Sequence, residues 1–305
     1  MTYNLMVILG PTASGKTAVA AQWAHRNHGE IVSADSRQVY KGMTIGTGKD
    51  YDDYLVEGVR IPYHCIDIAE AGEQYNVYEY QKAFLHAFAD IRSRQKIPVM
   101  CGGSGLYMEA ALKGYRLLLT PVNEELRNTL AAKTDRELEN MLAGLITMHN
   151  HTDTTTRRRM IRALEIALYQ QQQTPPTSDY PDVKPLLVGI RFDREIQRQR
   201  ITERLQQRLN AGMIDEVLGL MQKGLTPAQL EYYGLEYKFL TQHLTGQLTY
   251  RQMFTLLNTA IHQFAKRQMT WFRRMERNGD QIHWIDGHLP MNEKIQRMET
   301  LFYEK

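Results

Sequence analysis

Cysteine is nearly missing: Cys65 and Cys101 are the only two in 305 residues. Two are too few for a disulfide framework or a zinc site, so a reducing compartment is expected and each reads as a small buried hydrophobe. Long apolar runs are missing as well. None approaches the roughly 20 residues of a membrane span, and no basic stretch leads into a signal-type apolar run at the N-terminus. No membrane association and a cytoplasmic location follow as expectations. A large charge excess is also lacking, since 37 Lys and Arg face 34 Asp and Glu and the pI is about 8.7. Any nucleic-acid surface must therefore come from clustered charge, not total charge. No internal repeat is evident. With 43% hydrophobic residues, the chain has material for one large domain and a subdomain.

What is present is a phosphate-binding loop, Gly10-Pro11-Thr12-Ala13-Ser14-Gly15-Lys16-Thr17, directly after the apolar run Leu5 to Leu9 and before a helical stretch from Ala18 to His25. This order of strand, GxxxxGK[ST] and helix is the context the pattern requires. Its backbone N–H groups can cradle a diphosphate, Lys16 can reach phosphate oxygens, and the Thr17 hydroxyl can ligate Mg²⁺. The pattern alone does not say whose phosphates these are.

A short strand from Glu30 to Ser33 follows, ending in Asp35-Ser36-Arg37-Gln38. Ligands of open parallel sheets collect at strand carboxyl ends, so Asp35 is expected beside the loop. It could cap the next turn, hold Mg²⁺ or accept a proton. Lys41 to Asp50 reads as a surface loop, Tyr63 to Ile68 as a short strand containing a structural His64, and Val77 to Arg94 as a helix. The next strand, Lys96 to Cys101, ends in Gly102-Gly103-Ser104-Gly105. Nucleotide hydrolases of this class usually place an Asp at such a strand end to complete their Mg²⁺ site. Its absence weakens an ATPase or GTPase reading. Ser104 is placed either to cap the following helix, which runs to about Leu112, or to bond a group entering opposite the cradle.

Residues 114–185 are polar and helix-forming, and the stretch from Gln170 to Thr177 resembles an exposed connector. This is read as a helical insertion into a core made of 1–113 and 186–305. Within it, Met160, Leu164, Ala167 and Leu168 fall on one helical stripe, with Arg158 and Arg162 opposite. The arginine cluster Arg157, Arg158, Arg159 and Arg162 suits phosphate contacts. Leu186 to Arg191 returns to the sheet. Arg200, Arg204 and Arg208 then recur at four-residue spacing on a helix from Asp193 to Gly212; such a row can be merely solubilising, or, if the helix passes over the phosphate loop, one or two of them can clamp a leaving diphosphate. A helix from Thr249 to Met275 has an expected apolar stripe of Leu257, Ala260, Ile261, Phe264 and Trp271, and a basic row of Lys266, Arg273 and Arg277 suited to a polyanion. Gln281 to Asp286 reads as an edge strand. The expected class is thus α/β: a parallel sheet of the phosphate-loop type, flanked by helices.

Nearly the whole chain resembles the tRNA dimethylallyltransferase family. The resemblance is carried by GPTASGKT at 10–17, SADSRQVYKGMTIGTGK at 33–49, GGSGLY at 102–107, RALEIA at 162–167 and AKRQMTWFRR at 265–274. It implies that the loop holds the diphosphate of dimethylallyl diphosphate with Mg²⁺ on Thr17, and that a dimethylallyl group passes to N6 of the adenosine 3′ of the tRNA anticodon. Lys16, Asp35 and Ser104 are then the expected catalytic residues, Asp35 as general base. Arg200 or Arg204 would reach the diphosphate. Ser36 to Gln38 would read the adenosine. Arg127, Arg158, Arg159, Arg162, Lys266, Arg267 and Arg273 would contact the tRNA, the insertion gripping the anticodon stem-loop. A monomer is expected. Ser104 stands where the family commonly has threonine, Thr156 where it often has Asp (with Asp153 three residues earlier), and Gly234 to Lys238 where it has GYK. Rival readings are a prenyltransferase acting on AMP or ATP, a phosphate-loop kinase, and an RNA-binding protein with a vestigial loop.

Overall fold

The computed structural model describes residues 2–145, 156–172 and 180–304. Asp153 and most of the Gln170 to Thr177 connector lie outside them. The chain divides into two compact units, 1–114 with 182–305, and 115–181.

In the larger unit the order is β1 (Leu5–Leu9), α1 (Lys16–Arg26), β2 (Gly29–Ala34), a 3₁₀ turn (Tyr51–Tyr54), β3 (Leu55–Val56), β4 (Val59–Arg60), β5 (Tyr63–His64), α2 (Val77–Ser93), β6 (Ile97–Gly102) and α3 (Gly105–Leu112). The smaller unit contributes α4 (Glu124–Ala131), α5 (Asp135–Leu145) and α6 (Arg157–Gln171). The larger unit resumes with β7 (Pro185–Arg191), α7 (Arg194–Asn210), α8 (Met213–Gln222), α9 (Pro227–Tyr232), α10 (Leu235–Leu244), α11 (Tyr250–Arg277), β8 (Ile282–Asp286) and α12 (Met291–Tyr303).

Six strands form one parallel sheet in the order β5-β2-β6-β1-β7-β8. Its central strands are apolar throughout because helices cover both faces. One face packs on α1 and α12, where Trp23 meets Phe302 edge-on at 5.2 Å. The other packs on α2, α3 and the last turns of α11. A third apolar cluster joins α7 to α11 with Val39, Tyr40 and Met43. Register decides where the site lies. Leu9 and Ala34 both pair with Gly102, so the segments that follow β1, β2 and β6 leave the sheet at one edge.

Two expectations change. The strand expected over Tyr63 to Ile68 stops at His64, because Cys65 and Asp67 take positive φ values of 62° and 55°. On α11 the buried line is Met253, Leu257, Ile261, Ala265, Gln268, Phe272 and Met275, while Phe264 is 38% exposed. Steps of four and three keep that line on one side as the helix passes from the helical cluster to the sheet. The expected Phe264 and Trp271 lie one residue off it.

In the smaller unit, Leu130, Leu138, Leu142, Met160 and Leu164 make a separate core. Beside it Glu165, 1% exposed, accepts hydrogen bonds from the Asn123 backbone N–H at 2.7 Å, from Arg127 at 3.0 and 3.1 Å, and from Arg162. Burial pushes its carboxyl pKa up, but these bonds outweigh it and the net direction is down.

Candidate functional site

The loop from Gly10 to Thr17 bridges β1 and α1, with Ala13 and Gly15 in left-handed conformations at φ 63° and 74°. It is fastened from outside at Thr12. The Thr12 N–H donates to Gln268 Oε1 at 2.8 Å, its carbonyl accepts from Gln197, and its hydroxyl accepts from Arg204. At the next residue, Arg200 Nε donates to the Ala13 carbonyl at 3.0 Å, with its guanidinium 4.4 Å from the Phe192 ring centroid. Lys16 Nζ reaches back to the Pro11 carbonyl at 3.5 Å.

Positive charge here is crowded. Burial lowers the Lys16 pKa, aided by Arg204 and Arg208 and opposed by Cys101 and Asp35. Burial and the neighbouring Arg208 also bring Arg204 down to about 10. Asp50, Glu236 and Asp35 pull the other way on Arg204, so the positive charge is only partly offset. At the end of β6, burial pushes the Cys101 thiol up to about 12, keeping it neutral, and Thr17 hydrogen-bonds to it.

Two further segments meet the loop at this edge. After β2, Asp35 Oδ1 accepts from the Arg37 N–H at 2.9 Å, so Asp35 caps its own turn. After β6, Ser104 Oγ accepts from the Ser36 N–H at 3.0 Å. Ser104 occupies the N-cap position of α3 without making the cap bond, its hydroxyl being turned to Ser36 instead. Gln38 is buried, its carbonyl taken by the Ser33 hydroxyl and its amide donating to the Gly48 carbonyl, so it shapes the turn from within. The Arg37 guanidinium lies 5.5 Å from the Tyr232 ring centroid.

The Lys41 to Asp50 loop is held by Glu216, whose carboxylate accepts the N–H groups of Thr44, Ile45 and Gly46 at 2.7 to 3.0 Å and the Tyr237 hydroxyl at 2.7 Å. Arg208 joins it through Asp50 at 3.1 Å.

The arginines expected to meet RNA divide into two groups. Arg158, Arg159, Lys266, Arg267 and Arg273 are exposed on their helices. Arg127 and Arg162 are held by Glu165, which corrects the placement of Arg162 on an outer face with Arg158. A buried carboxylate draws both guanidinium groups inward.

Four participants escaped the sequence reading: Gln268, Gln197, Glu216 and Asp53. Asp53 is half-buried, and burial together with Asp50 and Asp52 raises its pKa to about 6, against the pull of Arg204 and Arg208. Gln268 did leave a signal, as a polar residue on an otherwise apolar helical stripe.

A six-stranded parallel sheet with helices on both faces, whose strand ends carry a GxxxxGKT loop and two further turns, defines an α/β protein. The family model described as IPP transferase matches residues 38–275. The chain is 54% identical over 293 residues to tRNA dimethylallyltransferase 2 of Bacteroides fragilis, covering 96% of both chains. It is 54% identical over 294 residues to tRNA dimethylallyltransferase 1 of Parabacteroides distasonis, again covering 96% of both. Among solved structures, it is similar to the tRNA isopentenylpyrophosphate transferase of Bacillus halodurans, with a TM-score of 0.70 and 29% identity, over 98% of this chain and 95% of that one. A eukaryotic dimethylallyltransferase shares the fold at a TM-score of 0.75 and 23% identity, over 93% and 74% of the two chains. The chain belongs to the IPP transferase family, as the sequence motifs implied.

Proposed function

We propose that this protein transfers a dimethylallyl group from dimethylallyl diphosphate to N6 of adenosine 37, 3′ of the tRNA anticodon, releasing diphosphate. The observation that carries the reading is the shared register of β1, β2 and β6, which brings the phosphate loop, the Asp35 turn and Ser104 to one sheet edge. The relatives named tRNA dimethylallyltransferase support the same chemistry.

The donor diphosphate lies against backbone amides of the loop beyond Thr12, with Lys16 and Arg204 neutralising its charge as the allylic C1–O bond breaks. The adenine amine forms the new C–N bond, and its proton passes to the Asp35 carboxylate. The acceptor base must first leave its stack, which costs less in a loop than in a duplex. Ser36, Arg37 and Ser104 line its approach, with Gln38 supporting them. Arg158 and Arg159, with Lys266, Arg267 and Arg273, supply cations for RNA phosphates, while Arg127 and Arg162 support the insertion that carries the first two.

Mg²⁺ fits this donor set in a limited way. Among the described residues no group of three His, Cys, Asp or Glu that could hold a metal ion is present, and Thr17 is the loop hydroxyl that would ligate the ion. Such a site suits an ion that keeps several waters and binds mainly through phosphate oxygens. When bound, Mg²⁺ would add charge neutralisation at the diphosphate. No described helix is long and apolar enough to cross a membrane, and the protein is taken to act in the cytoplasm as a monomer.

The test is incubation with Mg²⁺, dimethylallyl diphosphate and unmodified tRNA, with AMP as a parallel acceptor, followed by nucleoside mass analysis. An isopentenyl increment on the tRNA adenosine alone is expected. Modification of AMP alone would move the assignment to mononucleotide prenylation, and transfer to neither would overturn it.

A further inference from the structure

Gln268 bridges the phosphate loop and the glycine turn that follows β6. It is 7% exposed. Its Oε1 accepts from the Thr12 N–H at 2.8 Å, and its Nε2 donates to the Gly103 carbonyl at 3.0 Å. The fit leaves no slack: a Cβ at Gly103 would lie 2.3 Å from Gln268 Nε2 and 3.2 Å from the Gly10 carbonyl. Ser104 follows Gly103 and holds the Ser36 N–H, next to Asp35. An unbroken path of peptide units and hydrogen bonds therefore runs from the phosphate loop through Gln268 to the Asp35 turn.

We infer that Gln268 is a positioning residue, whose side-chain amide sets the spacing between the diphosphate loop and the turns that carry Ser104 and Asp35. The inference rests on the transfer reading above. The amide is suited to the task because one end accepts and the other donates. Methionine fills similar volume and offers neither bond. Ionised glutamate keeps the acceptor for Thr12 but presents a second oxygen to the Gly103 carbonyl. Diphosphate binding uses the loop amides beyond Thr12, so it should survive the loss of this strut. Transfer depends on the distance between two reactants, and small misplacements are costly there.

The experiment compares wild type with Gln268→Met and Gln268→Glu. It measures single-turnover transfer to tRNA per folded molecule, binding of Mg²⁺-diphosphate by calorimetry, and backbone hydrogen exchange at Thr12. Expected are a 10- to 100-fold slower transfer in both variants and a diphosphate Kd within threefold of wild type. Exchange at Thr12 should be at least tenfold faster in Gln268→Met. Wild-type transfer in either folded variant overturns the inference, as does a Kd that rises in step with the rate loss, or unchanged exchange at Thr12. Absence of transfer by the wild type defeats the transfer reading instead, and the spacing role is then decided by the exchange data alone.

Discussion

The Ser104 hydroxyl lies 3.0 Å from the Ser36 backbone nitrogen and accepts its hydrogen, joining segments 68 residues apart. This bond fixes the turn that carries Asp35 against the second glycine turn, so the hydroxyl's first task in the free protein is to position its neighbours. Ser104→Ala leaves the Ser36 N–H without that partner, a loss of about 1 kcal/mol or somewhat more. Transfer should slow by about tenfold, at ~1.4 kcal/mol per factor of ten, and Ser104→Thr should stay near wild type. Single-turnover rates at saturating donor check this, and an unimpaired Ser104→Ala would show that the bond is dispensable.

Asp35 combines a structural bond with its proposed role as base, and two substitutions separate them. Asn at this position keeps an oxygen to cap the Arg37 N–H, whereas Ala does not. Asp35→Asn should reduce turnover by roughly 10²- to 10⁴-fold while tRNA affinity stays within a few-fold. Asp35→Ala should lose at least as much turnover and also weaken tRNA binding modestly. Equal loss of affinity and turnover in Asp35→Asn, read from filter binding beside kinetics, would assign Asp35 to binding.

Arg200 and Arg204 touch adjacent residues of the loop but differ in environment. Arg204 is pressed by burial and by Arg208, while Arg200 rests on the Phe192 ring. Arg204 is therefore the guanidinium that gains more from an arriving anion. Arg204→Ala should raise the Kd for inorganic diphosphate by roughly 10- to 100-fold, as loss of a charged hydrogen bond of about 1.5–3 kcal/mol implies. Arg200→Ala should change it less than fivefold. Calorimetric titration decides, and the reverse order would reassign the clamp.

Glu30, 3% exposed, sits between Arg94 at 2.8 Å and His64 at 2.9 Å. The Arg94 hydrogen bonds hold its pKa at about 2, against an ordinary 4.5, with burial opposing. Because the folded pKa is depressed, the stabilisation is complete above the unfolded value and disappears as pH falls through the folded one. A gap of that size corresponds to roughly 3 kcal/mol, an upper figure given the partial exposure of Arg94. Glu30→Gln should therefore be less stable than wild type at pH 6, and the gap should close between about pH 4.5 and 2. Urea unfolding across that range checks it, and a constant gap would contradict it.

Gly48 has φ 68°, and a Cβ there would come within 2.1 Å of Arg208 Nη2. Gly48→Ala should destabilise the fold by about 1–3 kcal/mol from backbone strain and displaced contacts. In an Arg208→Ala background the penalty should shrink to the backbone part, a difference that a double-mutant cycle of unfolding free energies reads directly.

Some of this was legible in the linear sequence because the signals are local. The phosphate loop needs only eight consecutive residues between a strand and a helix, and the apolar runs at Leu5 to Leu9 and Leu186 to Arg191 mark buried parallel strands. The Tyr63 strand was read too long because backbone reversals at Cys65 and Asp67 leave no periodic trace. Arg162 was read as outward-facing because a helical projection shows a stripe but not which buried carboxylate lies across from it. Glu165 is only three residues away, yet its burial depends on α4.

The sequence by itself therefore determined the loop between β1 and α1, the parallel sheet and the chemical types available to the site, since these follow from short-range pattern and residue identity. Tertiary structure alone decided which groups hold the cradle and what they face. Gln268 meets Thr12 across 256 residues, Gln197 meets it across 185, and Glu216 meets Thr44 across 172. Such partners are chosen by the register of the sheet and the packing of helices on it, and no local pattern encodes a distance between segments that only folding brings together.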